Sequence, residues 1–204
     1  MEVKTKKFFN IIPGADACSI FLYGDISDSY GTVTSAQIAQ ELMTATATYK
    51  NINIRINSIG GEVYAGIAIF NALRASEANI TLYVDGVAAS MASVIALCGK
   101  PVYMSRYARL MLHCVSGGCY GNTKDMKDMI AEMESLEDTL CDMYASKLGK
   151  DKESIKATYF DGKDHWLTAA EAKNLGFIDG IYDAEPVPEE STPEQIYSIF
   201  NNRL

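Results

Sequence analysis

The sequence predicts an α/β fold built around a largely parallel sheet. Short apolar runs alternate along the chain with longer segments in which apolar residues recur at helical spacing. This alternation is typical of βαβ units, in which a helix crosses over between two parallel strands. The 204 residues are enough for one domain with a complete hydrophobic core, and we expect that domain to cover residues 1–183.

Six short apolar runs predict the strands of the sheet. They are bounded by glycine, asparagine or aspartate, and most contain the valine, isoleucine or tyrosine that favours an extended backbone. In chain order the predicted strands are Ser19–Tyr23, Ile52–Ile56, Ile80–Val84, Val102–Met104, Leu110–His113 and Ile178–Tyr182.

Five further segments predict helices. The longest carries an apolar stripe with a period of about 3.6 residues, which includes Leu140 and Tyr144. Its acidic residues, among them Glu132 and Glu137, are expected on a solvated face. The predicted helices are Ser35–Thr48, Val63–Ala75, Ser90–Cys98, Thr123–Leu148 and Thr168–Leu175.

The composition changes near the C-terminus. Pro186, Pro188 and Pro193 lie in an acidic stretch that is typical of an exposed linker. Thr192 is a suitable helix cap, and the proline after it suits the first helical position. Residues 184–204 are therefore predicted to form a linker and a short helix.

Charge and cysteine content exclude several classes of function. The formal net charge of −8 and the absence of a basic patch argue against a nucleic-acid partner. The five cysteines are irregularly spaced and form no CxxC pair, which argues against a zinc site and favours reduced thiols in the cytoplasm. The apolar run near the N-terminus is too short for a signal peptide, and no run approaches the roughly 18 apolar residues of a membrane span. We expect a cytoplasmic protein without metal or cofactor.

Histidine is scarce, and this narrows the chemistry. The chain contains only His113 and His165. A serine hydroxyl becomes a nucleophile when a base lies within hydrogen-bond reach, and near neutral pH that base is most often histidine. Any Ser–His mechanism must therefore use one of these two residues.

A segment of small residues is a candidate nucleophile site. Gly86–Ser93 (GVAASMAS) follows a predicted strand and opens a predicted helix. A serine in the first turn of a helix lies beside backbone N–H groups that lack partners, and these favour a developing oxyanion. The same segment also fits a small-residue helix packed on the sheet and capped by Ser90 or Ser93.

Two other segments are candidates on weaker grounds. Gly60 and Gly61 lie between a strand and a helix, where paired glycines either expose a backbone N–H or simply form a turn. Asp164 lies in a polar loop, and a carboxylate there either orients an imidazole or caps a turn. The sequence has neither a Gly-x-Ser-x-Gly elbow nor a Walker A loop, which disfavours an α/β-hydrolase and an intrinsic ATPase.

Together these segments resemble the Clp protease proteolytic-subunit family from about Ser19 to Asp183. The segment INSIGGEVYAG resembles its glycine-rich segment, GVAASMAS its nucleophile segment, RLMLHCVSGG its histidine segment and DHWLTAAEAKNLGFID its acid segment. The resemblance implies a nucleophile, a base, an orienting acid and two oxyanion-hole N–H donors, which are respectively Ser90, His113, Asp164, and Gly61 with Met91.

The resemblance also implies an architecture and an assembly. The fold would be a crotonase/ClpP-like ββα superhelix with a protruding handle helix at about residues 123–148, and Gly117, Gly118 and Gly121 would lie in a strand beside it. Subunits would form heptameric rings, stacked as a 14-mer around a chamber. A polypeptide substrate would bind as an added strand along Gly61 and the segment after His113.

The chain departs from the family pattern at several positions. Ile59 stands where proline usually precedes the paired glycines, and Cys114 and Val115 stand where a Gln-Pro pair often follows the histidine. Gly162 and Lys163 replace a charged pair that links two rings. The segments KKFFNII and IFLYGDIS resemble the phage and prophage branch. We therefore expect a head-maturation protease that trims capsid or scaffold protein, and the alternative is a housekeeping peptidase with a separate ATPase unfoldase.

Other classes of function are compatible with some of these features. A crotonase-type acyl-CoA enzyme would use backbone N–H groups for a thioester oxyanion and would need no Ser–His pair. A Ser–Lys peptidase would need a lysine base and usually a membrane segment. A non-catalytic assembly protein would keep the fold and lack a reactive serine.

Overall fold

A computed structural model of the chain describes residues 11–13 and 17–183. Within these ranges the strands are β1 (Ile11–Pro13), β2 (Ala17–Tyr23), β3 (Asn51–Ser58), β4 (Asn79–Ala89), β5 (Val102–Met104), β6 (Arg109–Leu112), β7 (His165–Thr168) and β8 (Gly180–Ile181). The helices are α1 (Ser35–Thr46), α2 (Val63–Ala75), α3 (Met91–Ala96), α4 (Thr123–Leu148), α5 (Lys152–Tyr159) and α6 (Ala169–Asn174). The linker and helix predicted for residues 184–204 lie outside the described residues.

The strands form a mixed sheet that is parallel through its centre, and this confirms the predicted α/β class. β2, β3, β4, β5 and β8 lie side by side and run parallel, and β1 pairs antiparallel with β2. β4 is 11 residues long, and its two halves have different neighbours. Leu82–Val84 pair with β5, whereas Val87–Ala89 pair in parallel with β6, which in turn pairs antiparallel with β7.

The hydrophobic core lies on one face of this sheet. Ile52, Ile54 and Ile56 of β3 are fully buried, and the residues between them belong to the opposite face because side chains alternate along a strand. Ile38 of α1 and Ile69 of α2 join the same buried cluster. The two helices therefore shield the core face of the central strands from water.

The opposite face carries a polar cluster around Arg55 and Asp85. Their side chains form an ion pair that is only 7% and 14% exposed. The Asp85 carboxylate also accepts hydrogen bonds from the hydroxyls of Tyr23 at 2.6 Å and Tyr182 at 2.9 Å. The Arg55 guanidinium lies 5.0 Å from the ring centroid of Tyr83. Burial, together with the Asp85 charge, raises the pKa of Tyr182 to about 12, so its hydroxyl remains a donor at neutral pH.

Most predicted elements are present, with some ends shifted. The longest helix begins and ends at the predicted residues, and a capping box between Asn122 and Asp125 closes its N-terminus. β4 continues to Ala89 instead of ending at Val84. The sequence patterns do not predict β1, α5 or β7. Among the described helices, none combines the length and apolar composition that crossing a membrane requires.

The strand expected beside α4 is absent from the described chain. Residues 113–122, which include Gly117, Gly118 and Gly121, form no strand. A strand needs a neighbour to supply its hydrogen bonds, and none of the strands described above pairs with this segment. The expectation of a glycine-bearing strand is therefore wrong for the isolated chain.

We predict that Asp85→Ala destabilises the fold by about 3 kcal/mol, because it removes the acceptor shared by a buried guanidinium and two hydroxyls. Urea denaturation measures the change in the free energy of unfolding. The control is Asp128→Ala, which breaks the exposed Lys124–Asp128 pair and should cost no more than about 0.5 kcal/mol. Equal losses in the two variants would contradict a stabilising role for the cluster.

Candidate active site

The sheet topology brings the predicted site segments together. β3, β4 and β6 run parallel at the end of β4, with Ser58 beside Ala88 and Ala88 beside Leu110. The residues that follow these three strands therefore share one edge of the sheet. β7 runs antiparallel to β6 with His165 opposite Leu112, which places the residue before β7 next to the residue after β6.

Three predicted residues are in contact at this edge. The Ser90 Oγ lies 2.8 Å from the His113 Nε2, which is hydrogen-bond distance. The other ring nitrogen, Nδ1, lies 3.3 Å from the Asp164 Oδ1. The His113 side chain is 25% exposed and the Asp164 side chain is 59% exposed, so the acid lies at the rim of the site.

Ser90 lies on a sharp reversal between β4 and α3. Its φ of 53° and ψ of −127° make it the one described non-glycine residue with positive φ. Such a backbone costs of the order of 1–3 kcal/mol and persists only where its surroundings hold it. The Ser90 N–H donates to the Met111 carbonyl at 3.0 Å. Ser90 is thus the residue before α3 rather than part of its first turn, and the reversal presents its side chain towards His113.

The Ser90 carbonyl is held as firmly as its N–H. It accepts hydrogen bonds from the Ser93 backbone N–H at 3.0 Å, the Val94 N–H at 3.3 Å and the Ser93 hydroxyl at 2.7 Å. These donors belong to the first turn of α3, where backbone N–H groups need partners. The hydrogen bonds on both sides of Ser90 stabilise its strained conformation.

Gly60 and Gly61 occupy positions that only glycine suits. At Gly60, with φ of +98°, an added Cβ would lie 2.8 Å from the Ser90 Cβ and 2.9 Å from the Met91 nitrogen. At Gly61, with φ of +150°, an added Cβ would lie 1.9 Å from the Ile26 carbonyl oxygen. Ile26 fixes the turn by donating its N–H to the Gly60 carbonyl at 2.9 Å and accepting the Glu62 N–H at 2.7 Å.

The N–H groups of Gly61 and Met91 are the candidate oxyanion donors. The flanking Gly60 and Glu62 bond to Ile26, whereas no backbone bond from the Gly61 N–H is found in the described chain. Met91 is the first residue of α3, so its N–H has no acceptor within that helix. Both residues line the same pocket as Ser90. The arrangement places unpaired donors beside the candidate nucleophile.

The pocket beside Ser90 is small and has both polar and apolar walls. It has a volume of about 40 Å³. Its apolar walls come from α2, α3 and α4, through Val63, Val94, Leu140 and Tyr144. On the other side it is bounded by His113 and the three residues after it.

His165 has a different partner. Its Nε2 lies 2.7 Å from the Asp161 Oδ1, and its ring packs edge-on against Tyr159. Hydrogen bonding from His165 is the main cause that lowers the pKa of Asp161 to about 2. Of the two histidines, the structure therefore brings His113 to Ser90 and pairs His165 with a surface loop.

Two contacts from α4 to the site were not expected from the sequence. Tyr144 hydrogen-bonds to Ser93 behind the candidate nucleophile, although the stripe pattern predicts only a core residue. The Glu137 Oε1 accepts the Val115 N–H at 3.1 Å, so Glu137 holds the segment after His113 and does not simply face solvent. A helical stripe predicts which face is buried, but it does not predict the partner of a polar group on that face.

Comparison with known proteins identifies the chain's relatives. The sequence model of a family described as Clp protease matches residues 7–185. Two curated relatives, from two strains of Bacteroides fragilis, are named ATP-dependent Clp protease proteolytic subunit. Each is 32% identical to this chain over 164 residues, which is 79% of this chain and 77% or 73% of the relative.

We predict that Gly61→Ala destabilises the protein more than Gly99→Ala. Both glycines have positive φ, which costs an alanine about 1–2 kcal/mol, but an added Cβ at Gly99 meets nothing within 4 Å, whereas at Gly61 it meets a carbonyl oxygen. Urea denaturation of both variants measures the difference. Equal destabilisation would show that the turn around Ile26 relaxes to accept the methyl group.

Proposed function

The chain belongs to the Clp protease family, and we propose that it is a serine endopeptidase with Ser90 as nucleophile, His113 as general base and Asp164 as the acid that orients the base. The observation that carries this proposal is the 2.8 Å contact between the Ser90 Oγ and the His113 Nε2, with a carboxylate on the other side of the ring. Acyl transfer by serine requires a nucleophile that contacts a base, and a base that contacts an orienting group.

The proposed reaction begins with proton transfer. The His113 Nε2 accepts the hydroxyl proton as the Ser90 Oγ attacks the carbonyl carbon of the scissile peptide bond. The carbonyl oxygen becomes an oxyanion, to which the N–H groups of Gly61 and Met91 donate. The protonated His113 then gives its proton to the leaving amine as the carbon–nitrogen bond breaks. The amino-terminal part of the substrate is now an acyl ester on Ser90, and the carboxy-terminal part leaves with a free amino group.

Water completes the cycle by the same route. His113 accepts a proton from a water molecule, whose oxygen attacks the ester carbonyl, and the same N–H donors stabilise the second oxyanion. His113 then returns the proton to the Ser90 Oγ as the ester bond breaks, and the carboxylic acid product leaves. Throughout, Asp164 accepts the Nδ1–H of His113, which keeps Nε2 available to the serine and stabilises the imidazolium.

The geometry favours this reaction over the other classes considered. The hydroxyl of Ser90 is bonded to an imidazole and not to a lysine, as a Ser–Lys peptidase would need. A crotonase-type thioester enzyme or a non-catalytic assembly protein would have no use for a serine held at positive φ against a histidine. The strained backbone and the Ser–His contact are both explained by a serine peptidase.

We propose a cytoplasmic ring of identical subunits that cleaves extended polypeptide, and we assign its substrate to capsid or scaffold protein of a phage head. The support for this branch comes from the N-terminal segments and from the position of the ring-linking pair, where Lys163 contacts Asp161 of its own chain. The names of the two curated relatives favour a second candidate, a proteolytic subunit that works with an ATP-dependent partner.

We predict that a fluorophosphonate probe labels Ser90 and that His113 is required. Ser90→Ala should abolish the adduct, and His113→Ala should slow labelling and peptide hydrolysis at least about a thousandfold. His165→Ala is the matched control and should keep wild-type rates, because His165 is bonded to Asp161. Mass spectrometry of the adduct identifies the labelled residue.

Two outcomes would overturn the proposed triad. Wild-type rates for His113→Ala would show that His113 is not the general base. An inactive His165→Ala variant together with an active His113→Ala variant would assign that role to His165 instead. Absence of labelling in the folded wild-type assembly would favour a fold retained for assembly alone.

A second experiment separates the two candidate substrates. The protein is incubated with a capsid precursor from a phage head without ATP, and separately with a folded reporter, a Clp unfoldase and ATP. Head maturation predicts limited cleavage of the precursor at a few sites without ATP. Degradation of the folded reporter to short peptides only when ATP and the unfoldase are present would contradict it and establish the second candidate.

A further inference from the structure

Tyr144 is connected to the nucleophile through one side chain. Its hydroxyl lies 2.7 Å from the Ser93 Oγ, and the Ser93 Oγ donates to the Ser90 carbonyl at 2.7 Å. A serine hydroxyl has a single proton. Because that proton is directed to the Ser90 carbonyl, the Tyr144 hydroxyl must be the donor to Ser93. The three groups form a chain of hydrogen bonds that starts in α4 and ends on the backbone of the nucleophile.

The environment of Tyr144 keeps this donor in place. The residue is 2% exposed, and its ring packs edge-on against Phe160. Burial raises the pKa of the Tyr144 hydroxyl, so the group stays protonated and remains a donor at working pH. Ser93 is fully buried as well, so water does not replace either partner. Hydrogen bonds of this kind polarise one another in sequence, which strengthens the last one.

This chain of hydrogen bonds ends at Ser90, the residue whose backbone is strained. Ser90 holds φ of 53°, a conformation that its surroundings must maintain. The Ser90 carbonyl is one of the two backbone groups through which the surrounding residues maintain this conformation. If the carbonyl were held less firmly, the backbone could relax and the Oγ would leave the 2.8 Å contact with His113.

We propose that Tyr144 is a positioning residue, which acts through Ser93 to hold the Ser90 backbone and thereby the alignment of Oγ with His113. The inference rests on the proposed serine peptidase function and adds a residue of α4 to its machinery. A tyrosine that served only to fill the core would contribute to stability and would leave the reactivity of Ser90 unchanged. The two roles therefore differ in a measurable rate.

The test is Tyr144→Phe, which keeps the buried ring and removes only the hydroxyl. We expect the rate constant for fluorophosphonate labelling of Ser90 to fall about five- to tenfold, the effect of one buried hydrogen bond. The final labelled fraction should reach that of the wild type. With a peptide substrate, kcat should fall by a similar factor. KM should stay unchanged, because the hydroxyl that is removed contacts Ser93, whereas the ring that lines the pocket is kept.

The control is Tyr159→Phe. Tyr159 is also a buried tyrosine, 6% exposed, but it lies on α5 and packs against Phe177. Loss of its hydroxyl should leave the labelling rate of Ser90 unchanged. The comparison removes any general effect of replacing a buried tyrosine by phenylalanine.

A double-mutant cycle tests the route through Ser93. Ser93→Ala removes the last hydrogen bond of the chain and should slow labelling at least as much as Tyr144→Phe. If Tyr144 acts through Ser93, the double variant should be no slower than Ser93→Ala alone. Rate losses that multiply in the double variant would show that Tyr144 acts by another route and would overturn the proposal.

The result separates this proposal from the function on which it rests. Labelling of wild-type Ser90 with an unchanged rate in Tyr144→Phe would leave the serine peptidase intact and overturn the positioning role. A Tyr144→Phe protein that labels at the wild-type rate but only in part would also overturn it, since that pattern reports misfolded molecules. Absence of labelling in the wild type would instead overturn the proposed function.

Discussion

The arrangement of the site depends on the length of one strand. β4 extends past the end of β5, and its last residues pair with β3 on one side and β6 on the other. The segments that follow these three strands must then meet around the end of β4. A shorter β4 would leave β6 without its parallel neighbour, and β7, which pairs with β6, would lose its position too. The Ser90–His113–Asp164 contact is a consequence of this extension.

The reversal at Ser90 links packing, strain and chemistry. The chain can turn there only because Gly60 has no side chain to meet the Ser90 Cβ and the Met91 nitrogen. The strain of roughly 1–3 kcal/mol at a non-glycine residue with positive φ is offset by hydrogen bonds to both its N–H and its carbonyl, each worth roughly 1 kcal/mol net. After this turn the Met91 N–H, at the start of α3, forms no backbone hydrogen bond within the described residues. The geometry that costs stability is therefore the geometry that exposes the donor.

Local patterns predicted most elements, and the resemblance to the Clp protease family implied the residues that meet at the site, but neither predicted the features created by long-range pairing. The sequence pattern predicts that the strand ends before Gly86, yet β4 continues through this glycine. Glycine there leaves room for the Asn57 side chain, which lies 2.6 Å from the position of an added Cβ. β7 has only four residues and becomes a strand only through its pairing with β6. The positive φ of Ser90 depends on Gly60, on Met111 of β6 and on the first turn of α3. No short window of sequence contains all three.

Helix α4 makes a side-chain hydrogen bond to each of the three segments that follow β3, β4 and β6. Glu132 bonds to Tyr64, Glu137 to Val115, and Tyr144 to Ser93. At a rise of about 1.5 Å per residue, these contacts span roughly 18 Å of the helix. Their environments change from exposed at Tyr64 to fully buried at Ser93. Because water competes for an exposed hydrogen bond and not for a buried one, the energetic link between α4 and the site is concentrated at the buried end of the helix. There Tyr144 bonds to Ser93, which in turn bonds to the backbone carbonyl of Ser90, the proposed nucleophile.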